Sequence, residues 1–374
     1  MTLFNYRKKR KRWRFSSGAA THHHHHHHHG HRRRSRRRRV LMIVESIVLA
    51  LCLLIGIGAG GIYCLRSSGR KSLRQAASSK RPEIEGQDSN VVVRDGKRYR
   101  YNDDLINILC LGIDKTTEET QQKENVSGGS GQADAIVLVT IDPVNDTMKM
   151  TAIPRDTITE IETYDAGGNS VGKSKNHLAL AYAYGDGGEK SGELSVKAVS
   201  NLMYQLPIHG YAAIRMDAVE KLNDSVGGVT VTVPEEMWLS GSIYKAGQRV
   251  TLTGSQALSY VRTRDIDAVG ANLERMERQK DYAVSFISAA KRALTKDPTL
   301  AVQLYREITA DMVTSIGVDE AVYLASMLPQ LSFNLDDIQT VQGTIKQGRK
   351  YEEYYADEEA LQTLILDTFY TEVS

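Results

Sequence analysis

The sequence predicts an α/β/α sandwich on a mixed central sheet, preceded by one transmembrane helix. Strand and helix patterns are interspersed along residues 105–343, and several strands follow one another through short turns, which indicates a sheet covered by helices. Residues 105–113 form a nearly continuous apolar run, typical of a strand that is buried on both faces. Residues 46–65 provide 20 consecutive uncharged positions, enough for one membrane crossing.

The apolar segment 40–65 is the predicted membrane helix, and Glu45 is its only charge. A helix of 20 residues spans roughly 30 Å, the thickness of the hydrocarbon core of a bilayer. A cleaved signal peptide is the alternative, but the basic leader of residues 1–39 is far longer than a usual n-region. We therefore expect an uncleaved single-pass anchor in the cell membrane.

The charge distribution predicts the orientation of this anchor. Residues 1–39 carry 14 Lys and Arg and no acidic side chain, whereas the rest of the chain carries 34 basic and 45 acidic side chains. Basic flanks of membrane helices stay on the cytoplasmic side. The amino terminus is thus expected in the cytoplasm and the carboxy-terminal domain outside it. With a membrane segment directly behind the basic tail, contact with anionic lipid is expected rather than nucleic acid binding.

The predicted organisation has five parts. Residues 66–90 are polar and Ser-rich, which is typical of a tether, and Asp95-Gly96 is the turn of a short hairpin. The parts are a basic cytoplasmic tail (1–39), a transmembrane helix (40–65), an extracytoplasmic tether with a short hairpin (66–101), the main domain (102–295) and a helical carboxy-terminal part packed on it (296–374).

The three cysteines, Cys52, Cys64 and Cys110, provide neither a disulfide framework nor a metal-binding pattern.

One group of candidate site residues comes from a predicted hairpin. If strands 134–141 and 148–155 are symmetric about Val144 and Asn145, Asp134 lies opposite Arg155 at the open end. Asp114 follows the preceding strand, and an antiparallel pairing would bring it to the same sheet edge. The alternative for each residue alone is a solvated loop charge or a surface salt bridge.

The second group is basic and lies at residues 262–279. If residues 262–264 are extended, Arg262 and Arg264 point the same way, and on a helix Arg275, Arg278 and Gln279 share one face. A solvated basic helix is the alternative, since Glu274 and Glu277 balance its charge.

Arginines that converge suit a phosphate-rich ligand, because guanidinium groups bind phosphate oxygens in bidentate fashion. Two carboxylates beside them would repel that anion unless a hard cation such as Mg²⁺ bridged the two. Aspartates together with arginines therefore indicate a metal ion and a pyrophosphate in one site.

At these residues the sequence resembles the LytR-CpsA-Psr family of bacterial envelope proteins. The matching stretches occur in family order over about residues 105–290. They are Ile108-Leu109-Cys110-Leu111-Gly112-Ile113-Asp114, Ala133-Asp134-Ala135-Ile136, Ile153-Pro154-Arg155-Asp156-Thr157, Ser225-Val226-Gly227-Gly228-Val229, the run from Gln256 to Arg264, and Arg275-Met276-Glu277-Arg278-Gln279.

The resemblance implies a Mg²⁺-dependent phosphotransferase. Such an enzyme moves a glycopolymer from a polyprenyl pyrophosphate carrier to peptidoglycan through a phosphodiester in cell wall biogenesis. It makes residues 102–295 the catalytic domain. The resemblance also implies that Asp114 and Asp134 hold Mg²⁺. The catalytic residues that it implies are Asp114, Asp134, Arg155, Arg262 and Arg264. The pyrophosphate is bound by Arg155, Arg262, Arg264, Arg275, Arg278 and Gln279, and the lipid chain needs an apolar tunnel between sheet and helices.

The sequence departs from the family pattern at Thr116, Gln132 and Asn272, where the family often has two arginines and an acid. These departures leave open a non-catalytic envelope protein that binds a lipid pyrophosphate or a glycan. A membrane-bound transcription regulator is a further alternative, but the chain has no helix-turn-helix pattern. Asp156 and Asp265, which are adjacent to arginines, are expected to be ion-pair partners.

Overall fold

The structure, a computed structural model, describes residues 63–73, 75, 91–114, 131–165, 167–263, 271–348 and 351–373. Residues 1–62, with the basic tail and most of the predicted membrane helix, lie outside the described residues, as do Thr116, Arg264 and Asp265. Within the described ranges, no helix combines the length and the apolar character needed to cross a bilayer. Residues 60–374 belong to one compact unit.

A helical segment at residues 63–73 precedes the first described strand. The strands are β1 (Val91–Arg94), β2 (Lys97–Tyr101), β3 (Ile106–Ile113), β4 (Ala133–Asp142), β5 (Thr147–Ala152), β6 (Ile158–Tyr164), β7 (Ser170–His177), β8 (Gly210–Arg215), β9 (Val229–Thr232), β10 (Met237–Leu239), β11 (Ser242–Tyr244), β12 (Arg249–Leu252), β13 (Met312–Thr314), β14 (Ile338–Thr340), β15 (Gly343–Gln347), β16 (Glu352–Ala356) and β17 (Tyr370–Val373). The helices that follow β7 are α1 (Leu180–Ala183), α2 (Glu189–Leu202), α3 (Met216–Ser225), α4 (Gly254–Arg262), α5 (Ala271–Lys296), α6 (Leu300–Ile308), α7 (Val318–Met327) and α8 (Glu358–Phe369).

The central sheet has six strands in the order β13-β8-β3-β4-β5-β14. The consecutive strands β3, β4 and β5 pair antiparallel, while β8 runs parallel to β3 and β14 runs parallel to β5. β13 pairs antiparallel with β8. The sheet is therefore mixed, which confirms the sequence prediction.

Helices cover both faces of this sheet. Leu109, Leu111 and Ile113 of β3 pack in one apolar cluster with residues of α1, α2 and α8. Ile106 and Ile108, on the opposite face of the same strand, pack in another cluster with residues of α5 and α7. Because side chains alternate across a strand, β3 supplies both cores. The prediction of a strand buried on both faces, and of an α/β/α sandwich, is confirmed.

A third apolar cluster lies beside the sandwich and includes residues of α4. Its strands β9 and β12 pair antiparallel, and the turn into β9 uses Gly227 and Gly228 at φ +83° and +87°, where residues with a Cβ are strained. The buried Asn223 side chain donates to Leu252 O at 2.8 Å and accepts from Val229 N at 3.2 Å. These bonds fix the start of α4 relative to α3.

The segment 63–73 differs from the prediction of a tether beginning at residue 66. It is helical and packs on the domain, because Leu73 is 2% exposed and belongs to the cluster of α5 and α7. Ser68 Oγ donates to Asp319 Oδ2 at 2.8 Å. A Cβ on Gly69 would lie 2.2 Å from the carbonyl oxygen of Asp319, so this helix approaches α7 as closely as a glycine allows.

The part at 296–374, predicted to be helical, also contains strands. β13 and β14 form the two edges of the central sheet, and β17 pairs with β2 of the hairpin at 91–101. That hairpin is confirmed, with its turn at Asp95 and Gly96. The sequence indicates a strand near residues 338–343, which β14 confirms, whereas β13, with three residues, shows too little alternation to be recognised. Residues up to His177 belong to β7, so α1 begins only at Leu180.

Replacing Leu73 tests the docking of the 63–73 helix. Leu73→Ala should lower the free energy of unfolding by about 2–4 kcal/mol, since it leaves a cavity in a closed apolar cluster. Urea denaturation of the purified protein measures this change, and Lys71→Ala, an exposed position on the same helix, is the control. Equal stability of the two variants would mean that the segment is not docked in solution.

Candidate active site

The register of the β4–β5 hairpin places Asp134 opposite Arg155. Val137 pairs with Ala152 and Asp142 with Thr147, so the pairing is symmetric about Val144 and Asn145, as predicted. Arg155 Nη1 forms an ion pair with Asp134 Oδ1 at the open end of the hairpin. The side chains are 18% and 10% exposed, so the pair is shielded from water and is not a surface salt bridge.

Asp114 reaches the same sheet edge from β3. The pairing of β3 with β4 is irregular between Gly112 and Ile113, and beyond it Asp114 N donates to Gln132 O at 3.1 Å. Asp114 Oδ1 accepts a hydrogen bond from Gln132 N at 2.7 Å. The Gln132 side chain in turn accepts from Arg155 Nη2. Gln132 thus connects the first aspartate to the arginine.

Arg275 of α5 completes the cluster. Its Nη1 donates to Asp134 Oδ2 at 2.9 Å, and its side chain is 5% exposed. Each oxygen of the Asp134 carboxylate is therefore bound by a different guanidinium. Two guanidiniums thus converge on one carboxylate in a poorly solvated place, and guanidinium groups are donors that suit phosphate oxygens.

Asp156 has a separate set of partners beside Arg155. Its Oδ1 lies 3.4 Å from Arg155 Nε and 3.5 Å from His177 Nδ1, and its Oδ2 accepts from Asn272 Nδ2 at 2.7 Å. Burial alone would raise the pKa of Asp156, but the contact with His177, the charge of Arg155 and the amide of Asn272 outweigh it and lower the pKa. Asp156 is thus an ion-pair partner, as predicted, and it is ionised at neutral pH.

The other predicted arginines have different positions. Arg262 is the exposed last residue of α4, so the extended conformation assumed for it is wrong, because α4 continues from its capping box at Thr253 through residue 262. Arg278 is buried and donates to Thr263 O. Gln279 Nε2 donates to Val261 O at 3.1 Å. These two residues bind the backbone at the end of α4, and Arg264 lies outside the described residues.

An apolar cavity of about 300 Å³ ends at this cluster. It lies between one face of β3–β5 and helix α5, and Asp134, Arg155 and Asp156 belong to its wall. Small residues on both sides, among them Gly112, Ala135 and Ala283, leave the space open. Its apolar wall includes Cys110, Val137, Met150, Ile214, Val219, Leu222, Met276 and Tyr282.

Metal binding would rest on Asp114 and Asp134. Within the described residues no group of three or more His, Cys, Asp or Glu is placed to hold a metal ion. Mg²⁺ in proteins commonly uses one or two carboxylates together with substrate phosphates, and two carboxylates at one sheet edge match that donor set. The second oxygen of Asp114 accepts no hydrogen bond in the described part of the chain, whereas both oxygens of Asp134 are bound by guanidiniums.

A model of the LytR_cpsA_psr family matches residues 67–366. The chain belongs to the LytR-CpsA-Psr family.

Named relatives are similar over part of the chain. It is 33% identical over 195 residues to the polyisoprenyl-teichoic acid–peptidoglycan teichoic acid transferase TagU of Oceanobacillus iheyensis, covering 50% of this chain and 54% of that protein. It is 31% identical over 255 residues to the transferase of the same description, TagV, of Bacillus subtilis, covering 66% of this chain and 57% of that protein. The matches therefore span little more than half the length of these relatives.

Among solved structures, B. subtilis TagV superimposes with a TM-score of 0.55 at 24% identity, over 70% of this chain and 94% of that chain. This likeness shows that the mixed α/β architecture is that of the LytR-CpsA-Psr fold.

Several site residues of this LytR-CpsA-Psr protein were not predicted from its sequence. The hairpin β15–β16 contributes Ile345, Glu352 and Tyr354 to the cavity wall. It is held there by the bond from Tyr354 N to Asp156 O at 2.9 Å. His177 lies at the end of a strand that the sequence did not indicate. Neither segment carries a motif, and only the fold brings them to residue 156.

Neutralising Asp134 tests the ion cluster. Asp134→Asn should lower the free energy of unfolding by about 3 kcal/mol, because two poorly solvated guanidiniums lose their counter-charge. Saturating inorganic pyrophosphate should recover much of the loss, and more than it adds to the wild type, because the arginines are then free to bind it. Thermal unfolding measures both effects, with Asp367→Asn on an exposed helix position as control. A pyrophosphate effect no larger than that of the wild type would contradict the assignment.

Proposed function

We propose that this protein transfers a glycopolymer from a polyprenyl pyrophosphate carrier to peptidoglycan and forms a phosphodiester in cell wall biogenesis. The observation that carries the proposal is the apolar cavity that ends at Asp134 and Arg155, with Arg275 bound to the same carboxylate. A donor of this kind has an apolar chain joined to an anionic head, and the cavity and the cluster match these parts in that order. The names of the relatives, which are polyisoprenyl-teichoic acid transferases, support the same reaction class.

In this mechanism the two buried guanidiniums bind the pyrophosphate. Arg155 and Arg275 are held on the carboxylate of Asp134 before any ligand arrives, so little reorganisation is needed when charge develops on the transferring phosphoryl group and the departing lipid phosphate. We propose that Arg262 and Arg264 also bind the pyrophosphate, and that Arg278 and Gln279 hold the 261–263 backbone that carries Arg262. The cavity fixes the lipid chain and therefore orients the head.

We propose that Asp114 and Asp134 hold Mg²⁺ when the donor is present. A bound Mg²⁺ would neutralise charge on the phosphate oxygens. Arg155 and Arg275 would then share the Asp134 carboxylate with the ion and would donate some of their hydrogen bonds to the pyrophosphate. The support for this assignment is that, among the described residues, only one oxygen of Asp114 accepts a hydrogen bond.

We also propose that the catalytic domain lies outside the cytoplasm on a single-pass anchor. The support is the basic tail followed by the uncharged segment 46–65. Residues 102–295 supply the site, while the part from 296 onward supplies both edge strands of the sheet and the β15–β16 wall of the cavity. The two parts act as one catalytic unit.

A non-catalytic binder of the same lipid is the competing function. Two of the departures from the family pattern favoured this non-catalytic binder. Both residues make polar contacts in the site, since Gln132 accepts a hydrogen bond from Arg155 and Asn272 donates one to Asp156. The departures therefore preserve polar contacts in the site, and the transfer assay below separates binding from catalysis.

Arg155→Lys should lower transfer roughly ten- to a hundredfold, because lysine keeps the charge but cannot contact Asp134, Gln132 and Asp156 at once. The assay measures glycopolymer moved from a synthetic polyprenyl pyrophosphate donor to peptidoglycan fragments by the full-length protein in detergent. Arg306→Lys, at an exposed position of α6, should transfer like the wild type. Transfer by Arg155→Lys at the wild-type rate would contradict the pyrophosphate site, and donor binding by the wild type without any transfer would favour the binder.

Filling the cavity tests the lipid site independently of the arginines. Ala283→Phe places an aromatic ring in the space beside α5 and should weaken the binding of a long polyprenyl pyrophosphate at least tenfold, while inorganic pyrophosphate still binds. Calorimetry of both ligands measures the difference. Ser288→Phe, on an exposed position of the same helix, is the control, and unchanged lipid affinity in Ala283→Phe would remove the cavity from the proposal.

A further inference from the structure

The mechanism above contains no group that accepts the proton of the attacking hydroxyl. Asp134 is bound by two guanidiniums, which stabilise its charged form and occupy both of its oxygens. Asp114 is assigned to the metal. A proton acceptor must therefore come from another residue next to the cluster.

His177 and Asp156 form a pair at this place. Nδ1 of His177 lies 3.5 Å from Oδ1 of Asp156, and Nε of Arg155 lies 3.4 Å from the same oxygen. Arg155 also contacts Asp134. One guanidinium therefore joins the pyrophosphate cluster to the imidazole–carboxylate pair, and the imidazole is one side chain away from the proposed phosphate site.

The Asp156 carboxylate is held in a fixed orientation. Its second oxygen accepts from Asn272 of α5 at 2.7 Å, and its backbone oxygen accepts from Tyr354 N at 2.9 Å. The loop that carries it is thus fastened to a helix on one side and to the β15–β16 hairpin on the other. A carboxylate facing Nδ1 favours the tautomer with the proton on that nitrogen.

That tautomer leaves Nε2 as the proton acceptor. In the part of the chain that the structure describes, Nε2 makes no hydrogen bond, and the ring of Tyr351 lies edge-on to the imidazole with 6.5 Å between the ring centroids. The His177 side chain is 17% exposed. Asp156 lines the apolar cavity whereas His177 does not, so His177 lies on the outer side of the pair, away from the space assigned to the lipid chain.

We propose that His177, oriented by Asp156, is the base that activates the acceptor hydroxyl. This role rests on the proposed transfer reaction. The O–H bond of the acceptor breaks and its proton passes to Nε2, while the hydroxyl oxygen bonds to the phosphorus that carries the glycopolymer. The bond from that phosphorus to the bridging oxygen breaks, and its electron pair leaves on the polyprenyl phosphate. The imidazolium that results is stabilised by Asp156 and later releases the proton to water.

Other charged and titratable groups lie on the elements packed around the pair. Arg155 is on the same loop, Arg275 is on α5, and Glu352, Glu353 and Tyr351 are on or next to β16. Lys175 and Glu160 are paired across β7 and β6 two residues from His177. Glu352 lines the cavity and is the rival base, so it is included in the test.

The experiment compares His177→Gln with Lys175→Gln and Glu352→Gln in the full-length protein in detergent. The donor is a radiolabelled polyprenyl pyrophosphate-linked saccharide, and peptidoglycan fragments are the acceptor. His177→Gln should lower the transfer rate roughly a hundredfold and leave donor affinity unchanged. Lys175→Gln should keep a near wild-type rate. A roughly hundredfold loss of rate in Glu352→Gln, with none in His177→Gln, would assign the base to Glu352 instead.

A second variant separates a chemical role from a structural one. Added imidazole should restore part of the rate of His177→Ala, because a free base can enter the space left by the ring. A wild-type rate in His177→Gln would overturn the assignment, and so would a loss of donor binding, since a base has no part in binding. Absence of transfer by the wild type would instead refute the reaction itself.

Discussion

The carboxylate of Asp134 is shared by two guanidiniums that come from different parts of the chain. Arg155 is brought to it by the pairing of β4 with β5, and Arg275 is brought to it by α5. Poorly solvated charges are costly unless they are paired. The cluster therefore forms only when the hairpin has the right register and α5 lies on the sheet, and it fastens that helix at the end of the cavity. Its two guanidiniums supply the planar donors that bind phosphate oxygens.

The parts of the fold that the sequence predicts best are governed by local patterns. The centre of the β4–β5 turn determines the whole pairing, so Asp134 and Arg155 could be placed opposite each other from turn chemistry alone. The apolar run at 105–113 similarly indicates a strand with two buried faces. The edge strand β13 could not be recognised, because a strand of three residues is stabilised by the sheet it joins and not by its own pattern.

The same distinction applies to the site. Asp114, Asp134, Arg155 and Arg275 lie in motifs and meet as expected, whereas Arg262 ends a helix and faces solvent. His177 and the β15–β16 hairpin are brought in by pairings between segments that are far apart in the chain. Asn272 stands where the family often has an acid, and it donates to Asp156 a hydrogen bond that an ionised acid could not supply.

Cys110 in the cavity wall has a consequence for redox chemistry. Burial raises the pKa of this thiol to about 11. At neutral pH about one molecule in ten thousand then carries the thiolate, which is the form that oxidants and disulfides attack. The side chain consequently behaves as a small apolar group and stays reduced in surroundings that would oxidise an exposed cysteine. The cavity wall therefore contains a thiol that is protected from forming a disulfide across the cavity.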